Sequence, residues 1–440
     1  MKIFLDTIGC RLNQAEIESL ARQFRAAGHE IVPTAAEADL AVVNTCTVTA
    51  EAASDSRAAV RRANRLGAGQ IVVTGCWATL EPEAAAALPG ATRVVPNKRK
   101  EFLAFDLLNF EPGDAVRGNP ATCNLETLNR IPLPGLHQRT RAFIKVQDGC
   151  DNACTFCITT LARGDSSSRP LDEIVTDVDS ALNGGAQEIV LTGVHLGSWG
   201  LDLSSPRRLS DLVSALLAQT SAPRLRLSSL EPWDLDADFF SLWAGGPRPY
   251  GRLCRHLHLP LQSGSAGVLR RMARKTTPEG FAALVQSART AIPEVAITTD
   301  IIAGFPGETD EEFAETLEFV KSMRFAGGHV FSYSARPGTP AARMKGQVRR
   351  ETVKARSALL RTVLAESAEA YRRQFIGKTT SVLWEATSIL TDEGWQIEGL
   401  TDNYLRVTAI APEPRWNRVD DVYLTGLREN GLAGKLTNTV

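Results

Sequence analysis

Two sets of three cysteines carry the chemistry open to this chain. Cys150, Cys154 and Cys157 stand together in Gly-Cys-Asp-Asn-Ala-Cys-Thr-Phe-Cys, a C-x3-C-x2-C spacing, while Cys10, Cys46 and Cys76 are spread over the N-terminal third. Three thiolates can hold three corners of a cubane iron–sulfur cluster and leave the fourth iron open to a substrate, so such a cluster can do chemistry as well as carry electrons. A structural zinc site normally takes four protein ligands. No fourth Cys or His lies close to 150–157 in sequence; His137 and His195 are the nearest histidines, and either would have to fold back. Odd triads, and a start at Met1-Lys2-Ile3-Phe4 without a secretory signal, disfavour disulfides. Buried inert thiol is the ordinary alternative for a single cysteine, and Cys123 and Cys254 are read that way.

The elements around the dispersed cysteines bring them together. Lys2–Ile8 is a short apolar run ending at Gly9-Cys10, Leu40–Asn44 a buried-strand run ending at Cys46, and Gln70–Thr74 another ending at Gly75-Cys76. Between them, Asn13–Ala27 and Ser54–Arg65 have helical periodicity. This alternation predicts an open parallel α/β sheet. In such a sheet the C-terminal strand ends share one edge, where ligands bind, so the three thiols are expected to converge there. Helix N-termini after these loops favour thiolates.

Residues 104–141 carry turn and breaker signals and read as a connector. Beyond it the alternation resumes, with strands expected at Ala142–Gln147, Glu188–Thr192, Arg224–Ser228, His256–Leu261, Ala296–Ile302 and Gly328–Tyr333. Helical stretches at 171–183, 209–219, 265–291 (broken at Pro278) and 310–323 fall between them. Six βα units fit a partial or full parallel barrel, with its active face at the C-terminal strand ends, where the compact triad follows the first strand. A charged helix over Glu351–Phe375 leads to short β-like runs at Thr380–Trp384, Trp395–Leu400, Tyr404–Val407 and Val422–Thr425, which predict a small all-β barrel. The expected domains are 1–135, 136–370 and 371–440.

The net charge of the 440-residue chain is −1, which does not advertise nucleic-acid binding, and no apolar run of membrane-spanning length occurs. Free cysteines point to a reducing cytoplasm. Basic clusters lie at Arg57 to Arg65, Asn97 to Lys100, His137 to Arg141 and Leu269 to Lys275; each is more often a solvated face than an RNA footprint. In the C-terminal barrel Lys378, Arg406, Arg415, Arg418, Arg428 and Lys435 are outnumbered by Asp and Glu.

The compact triad after the first strand of a βα barrel, with Phe156 before its last cysteine, resembles the radical S-adenosylmethionine superfamily. Further motifs narrow the resemblance to the methylthiotransferases: Thr7-Ile8-Gly9-Cys10-Arg11-Leu12-Asn13, Asn44-Thr45-Cys46-Thr47-Val48-Thr49, Thr74-Gly75-Cys76, Ala162-Arg163-Gly164 with Ser168-Arg169, Leu259 to Ser265, Arg271 to Arg274, Asp300 through Gly304-Phe305-Pro306-Gly307-Glu308, and Phe331 to Ser334 with Arg336 to Ala341. The resemblance spans about residues 1–375, and the C-terminal barrel resembles the RNA-binding TRAM domain of that family. Among the family's three bacterial substrate groups, Asn44 to Thr49 and Thr192 to Gly197 most resemble the tRNA threonylcarbamoyladenosine group; tRNA isopentenyladenosine and an aspartate of ribosomal protein S12 are the alternatives.

The resemblance implies two 4Fe–4S clusters, one on Cys150, Cys154 and Cys157 and an auxiliary one on Cys10, Cys46 and Cys76, with S-adenosylmethionine as methyl donor and radical source. It implies a cofactor pocket of Phe156, Gly184, Gly185, Gly193, Ser229, Glu231, Gln262, Arg274, Gly304 and Phe305. Here Gly184-Gly185-Ala186-Gln187-Glu188 stands for the superfamily's Gly-Gly-Glu turn as an imperfect match. Arg61, Arg62, Lys98, Arg99, Arg163 and Arg169 are the candidate substrate contacts. The implied partners are the tRNA anticodon loop, an external electron donor and a sulfur donor, with no membrane. The implied reaction replaces the C2 hydrogen of a modified adenine beside the anticodon with a methylthio group. That hydrogen is on an unactivated aromatic carbon beyond side-chain acid–base chemistry, so positioning the base is the protein's main task. A single-stranded loop lets the base splay out for this. The rival reading is a non-catalytic metal-bound RNA-binding module, holding zinc or no metal.

Overall fold

A computed structural model describes residues 1–108, 140–244 and 251–437. Cys123, His137 and the domain limit expected at 135/136 lie outside the described residues. The N-terminal sheet is parallel, in the order β2 (Glu30–Ile31), β1 (Lys2–Thr7), β3 (Leu40–Thr45), β4 (Gln70–Gly75), β5 (Ala91–Val95). The central strands are apolar on both faces because helices cover both. Val42 and Val72 pack with Ile17, Leu20 and Phe24 of the helix Arg11–Ala26, while Val43 and Val73 pack with Ala59, Val60 and Trp77 on the other side. Two strands not expected from the sequence, Glu30–Ile31 and Ala91–Val95, form the edges; one is two residues long and the other exposes Thr92 and Arg93.

Six parallel strands follow: β6 (Arg141–Lys145), β9 (Glu188–Thr192), β10 (Leu225–Leu227), β11 (His256–His258), β12 (Ala296–Ala303) and β13 (Gly327–Ser332), with a small antiparallel ribbon of β7 (Gln147–Asp148) and β8 (Ser167–Ser168) after the first. Continuous ladders join β6, β9 and β10 in one group and β11, β12 and β13 in another. Single bridges, Leu225 to Leu253 and Ser229 to His258, link the groups into an open barrel of six strands, as the βα alternation predicts.

Alternate residues of a strand face opposite sides. Ala142 and Ile144 of β6 pack outward against the helix Leu171–Asn183, whereas Phe143 meets Ala15 and Val190. The first helix of the N-terminal unit therefore lies against the inner face of β6 and β9. Buried ion pairs lock it there: Arg22 with Asp177, and Glu16 with Arg163 at 2.8 Å; Glu16 also pairs within its own unit with Lys100 at 2.6 Å.

After the helix Arg350–Arg373, five strands close a barrel in the order β14 (Thr379–Thr391), β15 (Gly394–Thr401), β16 (Arg406–Ala411), β18 (Gly431–Leu436), β17 (Val419–Arg428). The fifth strand, Gly431–Leu436, goes beyond the four expected runs. Tyr404, expected to begin a strand, instead sits in a turn with φ +66°. The barrel docks on the N-terminal ends of the central strands. Arg224 donates to Leu400 O at 3.0 Å, Arg255 pairs with Asp402 at 2.6 Å, and the Tyr404 ring stacks on His256 with centroids 4.5 Å apart. No helix among the described residues is long and apolar enough to cross a membrane.

Candidate active site

The compact triad occupies the loop that leaves β6 at its C-terminal end. Gly149 enters the loop with φ +67°, and a Cβ there would stand 1.8 Å from Asp165 O, so the turn admits only glycine. The loop is held by backbone bonds from Cys150 N to Gly164 O at 3.0 Å, Thr155 N to Met272 O at 3.0 Å and Ala341 N to Thr155 O at 2.9 Å. Nitrogen donors face each sulfur: Asn152 N and Nδ2 toward Cys150 at 3.5 Å, Arg274 Nη1 toward Cys154 at 3.8 Å, and Thr159 N toward Cys157 at 3.4 Å. Such donors suit a thiolate ligand rather than a buried neutral thiol. Burial raises the Cys154 thiol's pKa, and the Arg274 guanidinium opposes that.

His195 does fold back to this loop. Its Nδ1 is 3.3 Å from Asn152 Nδ2 and its Nε2 is 2.6 Å from Asp234 Oδ2. Burial alone would lower its pKa, but hydrogen bonds with Asp234 and Cys150 push it up to about 10. Asn152, His195 and Asp234 thus form a chain behind Cys150 that the sequence reading did not single out as a unit. Among the described residues, no three His, Cys, Asp or Glu side chains converge as they would around a single ion. Thiolates that each hold a different iron of a cluster stand farther apart than that.

The dispersed cysteines follow β1, β3 and β4, three adjacent strands, at one edge of the N-terminal sheet. Cys10 caps the helix Arg11–Ala26 and Cys76 begins the helix Cys76–Leu80, so both stand at positive helix ends. A Cβ on Gly9 would lie 2.6 Å from Cys46 Sγ, and one on Gly75 2.3 Å from Thr45 O; glycine at both positions lets the loops close on each other. Burial pushes the Cys46 thiol up to about 11, and the neighbouring Cys10 and Cys76 thiols push the same way. All six cysteines are free. Metal binding would deprotonate them and offset that cost.

Side chains tie the segments that carry the two triads to each other. Asn97 Nδ2 donates to Cys76 Sγ at 3.6 Å and to Ala162 O at 2.8 Å, in the helix Thr159–Arg163 that starts just after Cys157. Arg163 Nη2 donates to Asn13 Oδ1 at 2.7 Å, and Cys10 Sγ lies 3.9 Å from the same oxygen. Arg336 donates to Val48 O at 3.2 Å, a further contact between the central and N-terminal units. Val48, Leu161 and Phe331 expose apolar surface on the segments near the two triads.

Most of the expected cofactor residues gather at the C-terminal strand ends. Gly193 follows β9, and a Cβ there would meet Gln147 Oε1 at 2.8 Å. Ser229 follows β10 and bridges to His258, Gln262 takes φ +73° beside Ile301, Gly304 takes φ +74° after β12, and Phe305 is fully buried. Phe156 packs on Phe305 and Met272. Glu231 pairs with Arg274 at 2.7 Å; Arg274 also donates to Pro260 O at 2.6 Å and lies 4.5 Å over the Trp233 ring, so it braces Cys154 more than it awaits a ligand. Ser228 Oγ, Arg274 Nε and Asp300 Oδ1 are buried without a partner, polar atoms that suit a polar ligand in this pocket.

Four expectations are corrected. Gly184 and Gly185 end the helix Leu171–Asn183 at the start of β9, the edge opposite the cysteines, where Gly185 O accepts from Asn417 Nδ2 of the C-terminal barrel at 2.7 Å. They serve as a helix cap. Arg163 is 2 % exposed in an ion-pair network with Glu16 and Asp148, so it joins the domains and offers no charge to RNA. Arg169 is held by Asp177 at 2.8 Å and donates to Lys145 O. The other four basic candidates are exposed. Arg62 pairs with Asp6 and Arg99 with Asp106. Lys98 lies beside Gly164, its Cε 3.2 Å from where a Cβ would stand, at the border of the cysteine loop.

Residues 2–95 match the model of the uncharacterized protein family UPF0004, and residues 144–320 that of the radical SAM superfamily. The chain is 37% identical over 404 residues to the Bacillus subtilis threonylcarbamoyladenosine tRNA methylthiotransferase MtaB, covering 91% of this chain and 88% of that one. It is also 37% identical to the protein of the same name from Thermotoga maritima, covering 87% and 86%. A tRNA-2-methylthio-N(6)-dimethylallyladenosine synthase from Frankia alni is 35% identical, covering 86% and 76%. Among solved structures, the radical S-adenosylmethionine methyltransferase TsrM from Kitasatospora setae superposes with a TM-score of 0.58 at 17% identity over 78% of this chain and 77% of that one, a likeness of fold alone.

Proposed function

The chain belongs to the radical S-adenosylmethionine methylthiotransferase family, and on that premise we propose that it replaces the C2 hydrogen of N6-threonylcarbamoyladenosine at position 37 of tRNA with a methylthio group. It is an enzyme of a superfamily that uses S-adenosylmethionine and a 4Fe–4S cluster. What supports the reading is that Asn97 ties the loop of one cysteine triad, at Cys76, to the helix that follows the other, at Ala162 O.

Cys150, Cys154 and Cys157 hold the radical cluster in this reading, and Cys10, Cys46 and Cys76 a second one. When bound, these groups and S-adenosylmethionine supply hydrogen abstraction and a methylated sulfur. The chain's own residues do the rest. Gly193, Ser229, Glu231, Gln262, Gly304 and Phe305 border the cofactor pocket, with Phe156 packed on its wall. The Asn152–His195–Asp234 chain and Arg274 orient the ligating sulfurs. The Val48, Leu161 and Phe331 surface admits a splayed base. Exposed Arg61, Arg62, Lys98 and Arg99 face phosphates, and the C-terminal barrel adds an RNA contact. An external electron donor and a sulfur donor complete the cycle.

The relatives that act on threonylcarbamoyladenosine by name support the substrate group, and the dimethylallyladenosine synthases are close behind. Nucleoside mass spectrometry of tRNA from a deletion strain decides between them. The account expects 2-methylthio-threonylcarbamoyladenosine to vanish and its unmethylthiolated precursor to accumulate. Loss of the methylthio group from isopentenyladenosine instead would reassign the substrate.

A further inference from the structure

Inside the central barrel most cations are neutralised. Arg226 pairs with Glu188 at 2.6 Å, Arg141 with Glu385 at 2.5 Å, Lys145 with Glu101 at 2.6 Å and Arg163 with Glu16 at 2.8 Å. Arg11 differs. Among the described residues no carboxylate pairs with it; its Nη2 donates to the phenol oxygen of Tyr404 at 2.9 Å, and the guanidinium carbon is 5.7 Å from the ring centroid.

This contact joins residues 393 apart in sequence and ties the N-terminal unit to the C-terminal barrel. Arg11 follows Cys10 on the N-terminal unit. Tyr404 enters from the C-terminal barrel, with its ring on His256 and the Arg226 and Arg141 guanidinium carbons 5.0 and 6.0 Å from its centroid. Burial alone would raise the Tyr404 pKa; Arg11, Arg141 and Arg226 outweigh it and lower it, which reports a positive potential at this spot.

We infer that Arg11, held by Tyr404, is the specificity-determining residue for an anionic substituent on the substrate base, and that it pairs with the carboxylate of the N6-threonylcarbamoyl group. The inference rests on the substrate reading above. In adenine only N1 separates C2 from C6, and the threonylcarbamoyl group extends several bonds beyond N6, so a base that presents C2 to the Cys10 edge can reach with that substituent into the barrel toward the Arg11 guanidinium, which Tyr404 holds from the side of the strand starts. A carboxylate there meets an uncompensated guanidinium in a partly buried setting, where a charge-assisted hydrogen bond is strong. A dimethylallyl group offers no such partner and leaves the cation unpaired, a penalty that discriminates as much as the attraction does.

The test measures binding of anticodon stem-loops to the iron-loaded enzyme by fluorescence anisotropy. Three RNAs differ only at position 37: threonylcarbamoyladenosine, its carboxyl methyl ester, and adenosine. The wild-type enzyme should prefer the free acid to the ester by about tenfold to a hundredfold, the range of one charge-assisted hydrogen bond. Arg11→Met should abolish that preference, Arg11→Lys should restore part of it, and Tyr404→Phe should reduce it. Iron per chain is measured alongside; if Arg11→Met loses iron, Arg11→Lys and Tyr404→Phe carry the comparison. A wild-type enzyme that binds acid and ester equally, or an iron-replete Arg11→Met enzyme that keeps the full preference, overturns the assignment. In a separate turnover assay that adds a dimethylallyladenosine stem-loop, methylthiolation of that RNA and not of the threonylcarbamoyl one would instead overturn the substrate reading beneath it.

Discussion

The side-chain amide of Asn97 donates to the sulfur of Cys76 at 3.6 Å. The same nitrogen reaches Ala162 O at 2.8 Å, so one side chain spans from a dispersed cysteine to the helix that leaves the compact triad. In the proposed reaction the distance between the two triads matters, and this amide is placed to fix part of it.

Asn97→Ala should therefore loosen the register of the two triads while leaving each triad's cysteines in place. Losing about 1 kcal/mol of hydrogen bonding corresponds to roughly fivefold. The ratio of methylthio product to 5′-deoxyadenosine should fall by about that factor, because cleavage continues and transfer misses. A ratio equal to wild type would show that the amide does not set the spacing.

The Arg163 network gives a pH prediction. Burial favours the neutral form of Glu16, but Arg163, Lys100 and Lys145 outweigh it and hold its carboxyl well below the usual range. Burial likewise acts on Asp148, where Lys145 and Arg163 lower it. A carboxylate with a depressed folded-state pKa contributes stability that is complete above its unfolded value, about 4, and is lost as pH falls through the folded one. Denaturant midpoints should not vary with pH on account of this network near neutrality, where its contribution is complete, and should fall below about pH 4. Arg163→Met, which removes one of the two close cations of buried Glu16 and leaves Lys100, should cost about 1.5–3 kcal/mol at pH 7 in urea unfolding. A cost under 1 kcal/mol would contradict the buried-pair assignment.

That residue also marks what the sequence could not disclose. A basic residue beside the conspicuous cysteine loop reads as surface, and only the fold brings Glu16, 147 positions away, into contact with it. Gly184-Gly185 misled in a related way: two glycines can end a helix or line a cofactor, and local sequence does not say which edge of the sheet they reach. Central strands such as Glu188–Thr192 were legible because a strand buried on both faces is a near-continuous apolar run, and half-exposed Gly327–Ser332 was legible only from its place in the strand–helix alternation. Convergence of Cys10, Cys46 and Cys76 was legible for the same reason, since each ends such a run. The strand Gly431–Leu436 was not, because Gly431 and Gly434 erase its alternation; a Cβ on Gly434 would stand 2.3 Å from Val422 Cγ1.

The exposed cations make a separate prediction. Arg61→Glu with Lys98→Glu should weaken stem-loop binding and lower the slope of log affinity against log salt by about one unit per lost phosphate contact. Filter binding at several potassium concentrations reads both. An unchanged slope would remove these residues from the RNA face. Deleting 376–440 is the companion experiment for the acidic barrel, whose loss should also reduce affinity if it touches RNA.

The central claim is that two cysteine triads do different halves of one reaction. The direct measurement is on the Cys10→Ala, Cys46→Ala, Cys76→Ala enzyme, reconstituted with iron and sulfide and reduced in the presence of S-adenosylmethionine and substrate tRNA. Iron per chain should fall by about half, since each cubane contributes equally. Formation of 5′-deoxyadenosine should persist, and methylthio product should be absent. Wild-type iron content together with normal methylthio product would contradict the account, leaving the three strand-end cysteines as packing and the protein with a single reactive cluster.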